Sequence, residues 1–364
     1  MSEFNFNTLT WFDTTIIFPV FLIFLLNLII VNFWDKIIYR RLGVVSYKSI
    51  QRVHVKETPR LGGLTLYLGF ILWALLCNTE STKEILFILC LTAIPFILIT
   101  TKEDLFYNVK PTLRILALFV SGLVFFKLYK GPLPNLDNIF YFGKLFVNQN
   151  FLLALLLIGF ISIANGMNLI DGVNGLCASA GTSMLLCLVY LSNLTHDLAI
   201  LNITLGIILL LFPFFIFNYP RGKIFLGDTG AYFLGVLLAT LTIIFFGRHP
   251  ELPTLNAILI LVYPVTEVIF TIHRRLFYSQ TPIHKPDSKH LHLQLFKFLR
   301  QNYKLKKIAN NLVMPLLAII WIMPFILITV SYKKSVLITA STFFFVFIYF
   351  LAYNFVKKNL IKES

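Results

Sequence analysis

Charged residues are scarce in this chain of 364 residues: Asp, Glu, Lys and Arg make up 13% of it, and hydrophobic residues make up 58%. Soluble globular proteins carry about 25% charged residues, so this chain has too few to cover a surface that faces water. Most of the chain must therefore face lipid or other apolar segments. The composition excludes a soluble globular protein and predicts a polytopic membrane protein.

Two further absences narrow the class. The four cysteines (Cys77, Cys90, Cys177 and Cys187) lie in or beside apolar segments and form no CxxC pair, so neither a disulfide framework nor a zinc site is expected. The residues before the first apolar stretch include no Lys or Arg. That stretch is long enough to span, and we expect a retained helix rather than a cleaved signal peptide.

What the sequence has in abundance is apolar runs of the length that crosses a bilayer, which is about 17–25 residues in a helix. No soluble domain or internal repeat interrupts them. We therefore predict one all-α membrane domain over residues 1–364 with about eleven transmembrane helices. The predicted spans are 14–34, 62–77, 84–101, 112–129, 149–166, 176–193, 198–217, 225–247, 254–272, 308–330 and 335–356.

The basic residues are distributed unevenly between alternate loops, and this predicts an orientation. Of the 31 Lys and Arg residues, 24 fall in one set of loops. Because cytoplasmic loops are enriched in Lys and Arg, this set is predicted to be cytoplasmic, with the N-terminus outside and the C-terminus inside. The net charge of +15 thus reflects topology and anionic lipid, not nucleic acid. The set comprises 35–61, 102–114, 167–175, 218–224, 273–307 and 357–364.

Asp104, Asp171 and Asp228 all fall on the predicted cytoplasmic side, at or near the ends of apolar runs. An acidic residue at membrane depth costs about 2.5–3.5 kcal/mol on insertion scales, so such residues are rare unless paired or functional. The alternative is that all three are ordinary solvated loop residues. The functional interpretation predicts that they share a site.

The segment 165–176 is the most polar stretch between two spans. Asn165, Asn168 and Asp171 are spaced by three and would share one face of a helix, and three glycines allow close backbone approach. Carboxylate and amide oxygens are the ligands that Mg²⁺ takes beside a pyrophosphate. The alternative is a polar turn rich in Asn and Gly.

His290 and His292 follow a basic stretch that includes Arg274 and Arg275. Two histidines with flanking cations suit an anion clamp for phosphates better than a metal pair, because no thiol or acidic triad accompanies them. The alternative is that loop histidines of this kind are incidental. The loop before the second span adds Arg60.

At these residues the sequence resembles the polyprenyl-phosphate N-acetylhexosamine-1-phosphate transferase superfamily (glycosyltransferase family 4). The resemblance runs from about residue 52 to residue 292 and rests on five motifs in one order. They are Thr58-Pro-Arg-Leu-Gly-Gly63, Glu103-Asp104, Asn165-x-x-Asn168-x-x-Asp171-Gly, Phe225-Leu-Gly-Asp-Thr-Gly230 and His290-Leu-His292. A single motif would be weak, but five in order are specific.

The resemblance implies an enzyme that transfers N-acetylhexosamine-1-phosphate from a UDP-sugar, with UDP-GlcNAc as the first guess, to undecaprenyl phosphate. It implies Mg²⁺, or Mn²⁺ in its place, held by Asp228 and Asn168. It assigns Asp104, Asp171 and Glu103 to catalysis. The residues that it assigns to substrate binding are Asn165, Asn168, Asn174, His290, His292, Arg60, Lys110 and Arg275.

Three positions depart from the family pattern: Glu103 and Asn174 stand where many members have acids, and Leu293 stands where several have a third polar residue or His. Glu103 and Asn174 resemble the subgroup that begins lipopolysaccharide O-chains. We therefore expect a bacterial cytoplasmic-membrane enzyme of cell-envelope polysaccharide synthesis with its active site on the cytoplasmic face. The resemblance leaves a homodimer open.

Alternatives from other classes are a transporter and a CDP-alcohol phosphotransferase. Glu267, inside a predicted span, would suit an ion pathway, but the acids cluster at one face and no inverted repeat is visible. The Asp-Gly-x-x-Ala-Arg signature of the second class is absent, since Asp171-Gly-Val-Asn-Gly has no Arg. A non-catalytic scaffold would not need this set of polar residues. The sequence assigns no role to Glu267; the simplest interpretation is that it pairs with Arg274 or Arg275 near the helix end.

Overall fold

The structure, a computed structural model, describes residues 14–34, 58–136, 148–278 and 289–360; the predicted loop segments 35–57, 137–147 and 279–288 lie outside the described residues. The described residues form α-helices and no strand. The helices are α1 (Ile17–Trp34), α2 (Gly62–Leu76), α3 (Glu80–Phe106), α4 (Pro111–Leu128), α5 (Gln149–Ile170), α6 (Leu176–Leu194), α7 (Leu198–Asn218), α8 (Gly227–Arg248), α9 (Leu255–Ile260), α10 (Val262–Tyr278), α11 (Leu291–Gln301), α12 (Ala309–Leu316), α13 (Ala318–Ser331) and α14 (Ser335–Asn359).

The all-α membrane fold is confirmed, but the count of eleven spans is not. Within the described ranges, nine helical segments are long and apolar enough to cross a membrane. The predicted span 62–77 is the 15-residue helix α2, which is shorter than these. The predicted span 254–272 is divided at Leu261 into α9 and α10. Pro264 lacks the backbone N–H that would bond the carbonyl of Ile260, which explains why the helix does not run through.

Several helix ends follow from local sequence. Pro111 occupies the first position of α4, where the missing N–H is not needed. The side chain of Asn148 accepts hydrogen bonds from the backbone N–H groups of Asn150 and Phe151 at the start of α5. Tyr107 adopts a left-handed backbone with a φ of 52° and ends α3. The sequence thus places short, sharp turns between the long helices that carry the motifs.

Helix α8 is the centre of the bundle. Every residue from Gly227 to Gly247 is buried, and α8 packs against α2, α3, α5 and α6. By contrast, only 17% of the most apolar 18-residue stretch of α14 is buried. Because α8 is enclosed by protein, the polar residues at its N-terminal end lie against other helices rather than lipid.

The N-termini of α2 and α8 are joined by backbone hydrogen bonds. Gly62 N donates to Phe225 O (3.0 Å), Gly63 N donates to Leu226 O (2.8 Å), and Phe225 N donates to Pro59 O (2.8 Å). A Cβ at Gly63 would lie 2.0 Å from Gly230 N, so only glycine permits this approach. The first and fourth sequence motifs therefore form one rigid junction.

Candidate active site

Asp228 lies at the N-terminal end of α8 between two arginines. Arg60 Nη2 is 2.7 Å from Asp228 Oδ1, and Arg114 Nη1 contacts Oδ2. The Asp228 side chain is only 8% exposed, and those of Arg60 and Arg114 are 26% and 19% exposed. A carboxylate this buried is stable only when it is paired and hydrogen-bonded. The two guanidinium groups supply that pairing and make the site rich in phosphate-binding cations.

Asp104, near the C-terminal end of α3, holds the start of α8. Its Oδ1 accepts a hydrogen bond from Asp228 N and its Oδ2 accepts one from Thr229 N, each at 2.9 Å. Negative charge is favourable at a helix N-terminus. Arg60 Nε lies 3.2 Å from Asp104 Oδ1, so one guanidinium joins both acids. Although burial alone would lower the pKa of Arg60, the carboxylates of Asp104 and Asp228 raise it above its usual value, and Arg60 stays charged.

A Cβ at Gly227 would lie 2.6 Å from Asp104 Oδ2 and 2.5 Å from Arg60 O, and Gly227 has a φ of +74°. Both the space and the backbone conformation at this position require glycine. The Gly-Asp pair of the fourth motif thus brings Asp228 to the tip of the helix while Asp104 approaches its backbone.

The C-terminal end of α5 brings the Asn-rich motif to the same cluster. Asn168 Nδ2 donates to Asp228 Oδ1 over 3.1 Å. Asp171, directly after α5, retains some exposed surface, but burial by the surrounding protein raises its pKa to about 7. The opposing effect of Arg60 on this pKa is offset by the negative charges of Asp228 and Asp104. Asp171 therefore shares the electrostatic environment of the two other acids.

His290 and His292 begin α11 beside this motif. Their rings are nearly parallel, with centroids 5.7 Å apart. A Cβ at Gly172 would lie 2.3 Å from His292 Nε2, so this ring packs directly against the residue that follows Asp171. His292 is fully buried, neither ring nitrogen has a hydrogen-bond partner among the described residues, and burial lowers its pKa to about 3. His292 is therefore a neutral ring with unused polar atoms at the edge of the site.

The remaining predicted residues surround this cluster. Glu103 Oε2 accepts from Val109 N (2.8 Å) and closes the turn between α3 and α4. The buried Asn174 donates from Nδ2 to Pro220 O (3.0 Å), and its backbone N–H donates to Asn310 Oδ1 (3.1 Å). Asn165 lies one turn before Asn168 and is half-buried, Lys110 is exposed before α4, and Arg275 is half-buried on α10. The substrate-binding roles of these residues stay predictions.

Sequence reasoning missed Arg114 and the partner of Glu267. Arg114 lies in the first turn of α4, and its position ten residues after Asp104 was the signal that could have linked it to the acids. Glu267 pairs with His290 and not with Arg274 or Arg275 as expected: Glu267 Oε2 lies 3.0 Å from His290 Nδ1. Arg274 instead donates from Nη1 to Lys289 O at 3.3 Å.

The residues that could hold Mg²⁺ are Asp228 and Asn168, whose side chains are in direct contact. Within the described part of the chain no set of three His, Cys, Asp or Glu side chains is placed to bind a metal. The donor chemistry nevertheless fits, because Mg²⁺ prefers carboxylate, amide and phosphate oxygens, and the amide of Asn168 can present its oxygen after a flip. Mg²⁺ binding would require Asp228 to exchange an arginine contact for the metal.

The described residues form a helical bundle with membrane-spanning helices, and acids and arginines meet at one end of its central helix. This arrangement indicates the class of polytopic membrane proteins with a polar site suited to phosphate groups. Comparison with known sequences narrows this class. The pattern that describes glycosyl transferase family 4 matches residues 86–246. This range contains Asp104, Asn168, Asp171 and Asp228.

Curated relatives extend the match. The chain is 28% identical over 281 residues to a protein of Bacillus subtilis named as a probable undecaprenyl-phosphate N-acetylglucosaminyl 1-phosphate transferase, with 76% of each chain covered. It is 27% identical over 302 residues to the decaprenyl-phosphate N-acetylglucosaminephosphotransferase of Mycolicibacterium smegmatis, covering 72% of this chain and 71% of the relative. It is 29% identical over 200 residues to a phospho-N-acetylmuramoyl-pentapeptide-transferase of Streptococcus thermophilus, covering 51% of this chain and 58% of the relative.

These matches agree with the resemblance that the motifs carry: the chain is similar to glycosyl transferase family 4 over residues 86–246 and to relatives named as transferases of sugar phosphates to polyprenyl phosphates. The transporter alternative finds no support, because the relatives reported above are all named as transferases.

Proposed function

We propose that this enzyme transfers N-acetylhexosamine-1-phosphate from a UDP-sugar to undecaprenyl phosphate, with UDP-GlcNAc as the first candidate donor. An oxygen of the lipid phosphate attacks the β-phosphorus of the UDP-sugar. The bond between that phosphorus and the bridging oxygen breaks, UMP leaves with that oxygen, and the sugar remains joined to the lipid through a diphosphate. The names of the relatives support both the sugar phosphate and the polyprenyl phosphate.

The observation that carries this proposal is the cluster of Asp228, Arg60 and Arg114 beside Asp104 and Asn168. Two anionic phosphates must approach each other in this reaction, and their repulsion has to be screened while they are held in line. Paired guanidinium groups bind phosphate oxygens in a fixed geometry. The structure supplies two such groups at one end of the buried helix α8.

The chain's own residues divide this task. Arg60 and Arg114 bind phosphate oxygens, and Asp104 keeps Arg60 and the start of α8 in register. Asp171, with its pKa near 7, can accept or hold a proton at the edge of the site. Asp228 and Asn168 would hold Mg²⁺, which supplies charge neutralisation for phosphoryl transfer when bound. A lipid phosphate is already ionised near neutral pH, so the reaction needs positioning more than deprotonation.

We also propose that the site faces the cytoplasm of a bacterial inner membrane and that the lipid product starts a cell-envelope polysaccharide of the O-antigen type. The uneven distribution of Lys and Arg supports the orientation. The resemblance of Glu103 and Asn174 to the O-chain subgroup supports the pathway. A UDP-sugar is available only in the cytoplasm, which is consistent with both.

The test is to incubate purified membranes with Mg²⁺, undecaprenyl phosphate and a panel of UDP-N-acetylhexosamines labelled in the sugar and in the β-phosphate. We expect both labels to enter the lipid together with release of UMP. The donor that is used names the sugar. Chelation of the divalent cation with EDTA should stop transfer, and Mg²⁺ or Mn²⁺ should restore it.

Other outcomes separate the alternatives. Release of UDP, with only the sugar label in lipid, would mean glycosyl transfer and would refute the proposed reaction. Label that enters the vesicle lumen without release of nucleotide would mean transport.

Membranes with Glu251→Gln provide the matched control and should transfer at the wild-type rate. Glu251 lies beyond the end of α8 that is opposite Asp228, is mostly exposed, and contacts only His249 among the described ion pairs.

A further inference from the structure

Glu267 is a buried carboxylate that neither the sequence motifs nor the proposed reaction uses. It lies on α10 and is only 1% exposed. A buried carboxylate is unfavourable unless a partner group pairs with it. That partner is His290, which is 3% exposed and lies 23 residues further along the chain.

The contact fixes which nitrogen of His290 is free. Glu267 Oε2 lies 3.0 Å from His290 Nδ1. An ionised carboxylate can only accept a hydrogen bond, so Nδ1 carries a proton and donates it. The other nitrogen, Nε2, is then left to accept a hydrogen bond in the neutral ring or to donate one in the charged ring.

A second polar side chain lies in the electrostatic environment of this carboxylate. Tyr349 on α14 interacts electrostatically with Glu267, and its ring lies 5.0 Å from that of Phe270, one turn after Glu267 on α10. Glu267 thus lies on a part of α10 that packs near α14. Its carboxylate contacts the His290 ring from outside α11, the helix that His290 precedes.

His290 occupies the position before the first turn of α11, next to the site. Its ring stacks on that of His292, and His292 packs against Gly172, which follows Asp171. The two stacked rings therefore lie beside the residue that follows Asp171, at the start of α11.

We propose that Glu267 is a positioning residue that holds His290 as the Nδ1–H tautomer, so that Nε2 is presented to a phosphate oxygen of the sugar-nucleotide donor. This inference rests on the proposed function for its substrate but not for its geometry. Carboxylate partners of this kind fix the tautomer and orientation of functional histidines, and removing them costs about 10–100-fold in affinity or activity.

The first experiment measures kinetics in Glu267→Ala, Glu267→Gln, His290→Ala and the double variant Glu267→Ala/His290→Ala. Glu267→Ala and His290→Ala should each lower kcat/KM for the UDP-sugar by about 10–100-fold, with little change in KM for undecaprenyl phosphate. The double variant should be no worse than His290→Ala, because Glu267 acts only through the imidazole. Glu267→Gln retains the shape of the side chain and should recover part of the loss.

The matched control is Thr271→Val, another buried polar residue one turn further along α10. This variant should keep the wild-type kcat/KM. If the losses in Glu267→Ala and His290→Ala multiply in the double variant, or if Glu267→Ala leaves donor kcat/KM unchanged, the positioning role is refuted.

The second experiment does not depend on activity. In ¹⁵N-histidine NMR of the purified protein, His290 should show a protonated Nδ1 at neutral pH, and Glu267→Gln should alter that resonance while Thr271→Val leaves it in place. A protonated Nε2 with a bare Nδ1 in the wild type would overturn the inference. If the wild-type enzyme transferred no sugar phosphate, the proposed function would fail, yet this measurement would still decide the role of Glu267.

Discussion

Gly63→Ala tests whether the junction between α2 and α8 determines the geometry of the site. A Cβ at position 63 would lie 2.0 Å from Gly230 N, 2.3 Å from Gly230 Cα and 2.8 Å from Leu226 O. All three atoms belong to the backbone, so no side chain can rotate away to make room. Ordinary contact begins near 3.4 Å, and the two helices must therefore separate by about 1.4 Å at this point.

The magnitude follows from what is attached to each helix. Arg60 precedes α2 by two residues, and Asp228 lies in the first turn of α8, so separation of the helices acts on the 2.7 Å contact between them. A displacement of about 1 Å at reacting groups can cost about 100-fold in rate. Overpacking typically destabilises by about 1–3 kcal/mol. We expect Gly63→Ala to lower kcat by at least about 100-fold and to lower the unfolding temperature by several degrees.

The assay is transfer of labelled sugar phosphate in detergent, with thermal unfolding followed in the same preparation. The control is Gly159→Ala on α5, where a Cβ would meet nothing within 4 Å. Both changes add one methyl group to a glycine of a helix, but only at Gly63 does that group meet backbone atoms. Gly159 lies in the interior of α5, where alanine favours the helix by about 1 kcal/mol over glycine. Gly159→Ala should be fully active and slightly more stable. Wild-type turnover in Gly63→Ala would show that the junction does not control the site.

Three further predictions concern separate parts of the molecule. Asp228→Asn should abolish transfer and reduce the free energy of unfolding by about 3 kcal/mol, because Arg114 loses its carboxylate partner. Normal turnover would show that the reaction does not need Asp228, and unaltered thermal unfolding would show that its ion pairs do not stabilise the fold. Protonation of Asp171 should reduce kcat/KM for the donor as the pH falls through about 7. Asp171→Asn should be slow, and its kcat/KM should not change with pH in this range. If kcat/KM of this variant still fell below about pH 7, the titration would belong to another group. Asp197→Ala, at the far end of the bundle, should destabilise by at least about 1 kcal/mol, because it removes both the cap that accepts from Ile200 N and the carboxylate that pairs with Arg248 and His249. KM should be unchanged, and a shift in KM would connect this end to the site.

The helical membrane fold and the convergence of the motifs could be predicted from the sequence. Asp104, Asn168 and Asp228 each follow or begin an apolar run on the same predicted side, so alternation of the spans brings them together. Arg60 reaches them because the Gly-Gly pair after it allows close packing against α8. The length of an apolar run and the position of a glycine pair can both be read directly from the sequence, and both correspond to features of the structure.

The pairings within the site could not be predicted in this way. Glu267 has basic residues seven and eight positions further along the chain, near the end of the predicted span, and these were the partners that the sequence suggested. The structure gives it His290 instead, 23 residues further along the chain at the start of α11. Asn174 belongs to a motif read as substrate-binding, yet its amide donates to the carbonyl of Pro220. Such contacts depend on how helices pack, which composition and periodicity do not encode.

The complete enclosure of α8 has a consequence for how substitutions are tolerated along the chain. Helices that border lipid on one side, such as α14, should accept changes of side-chain volume every three to four residues, in step with their outward face. Along α8 every direction is occupied by another helix, so a scan of all substitutions from Gly227 to Gly247 should show no helical period at all. Sequence variation among functional variants should therefore be lowest in this helix and should rise from the centre of the bundle to the helices that border lipid.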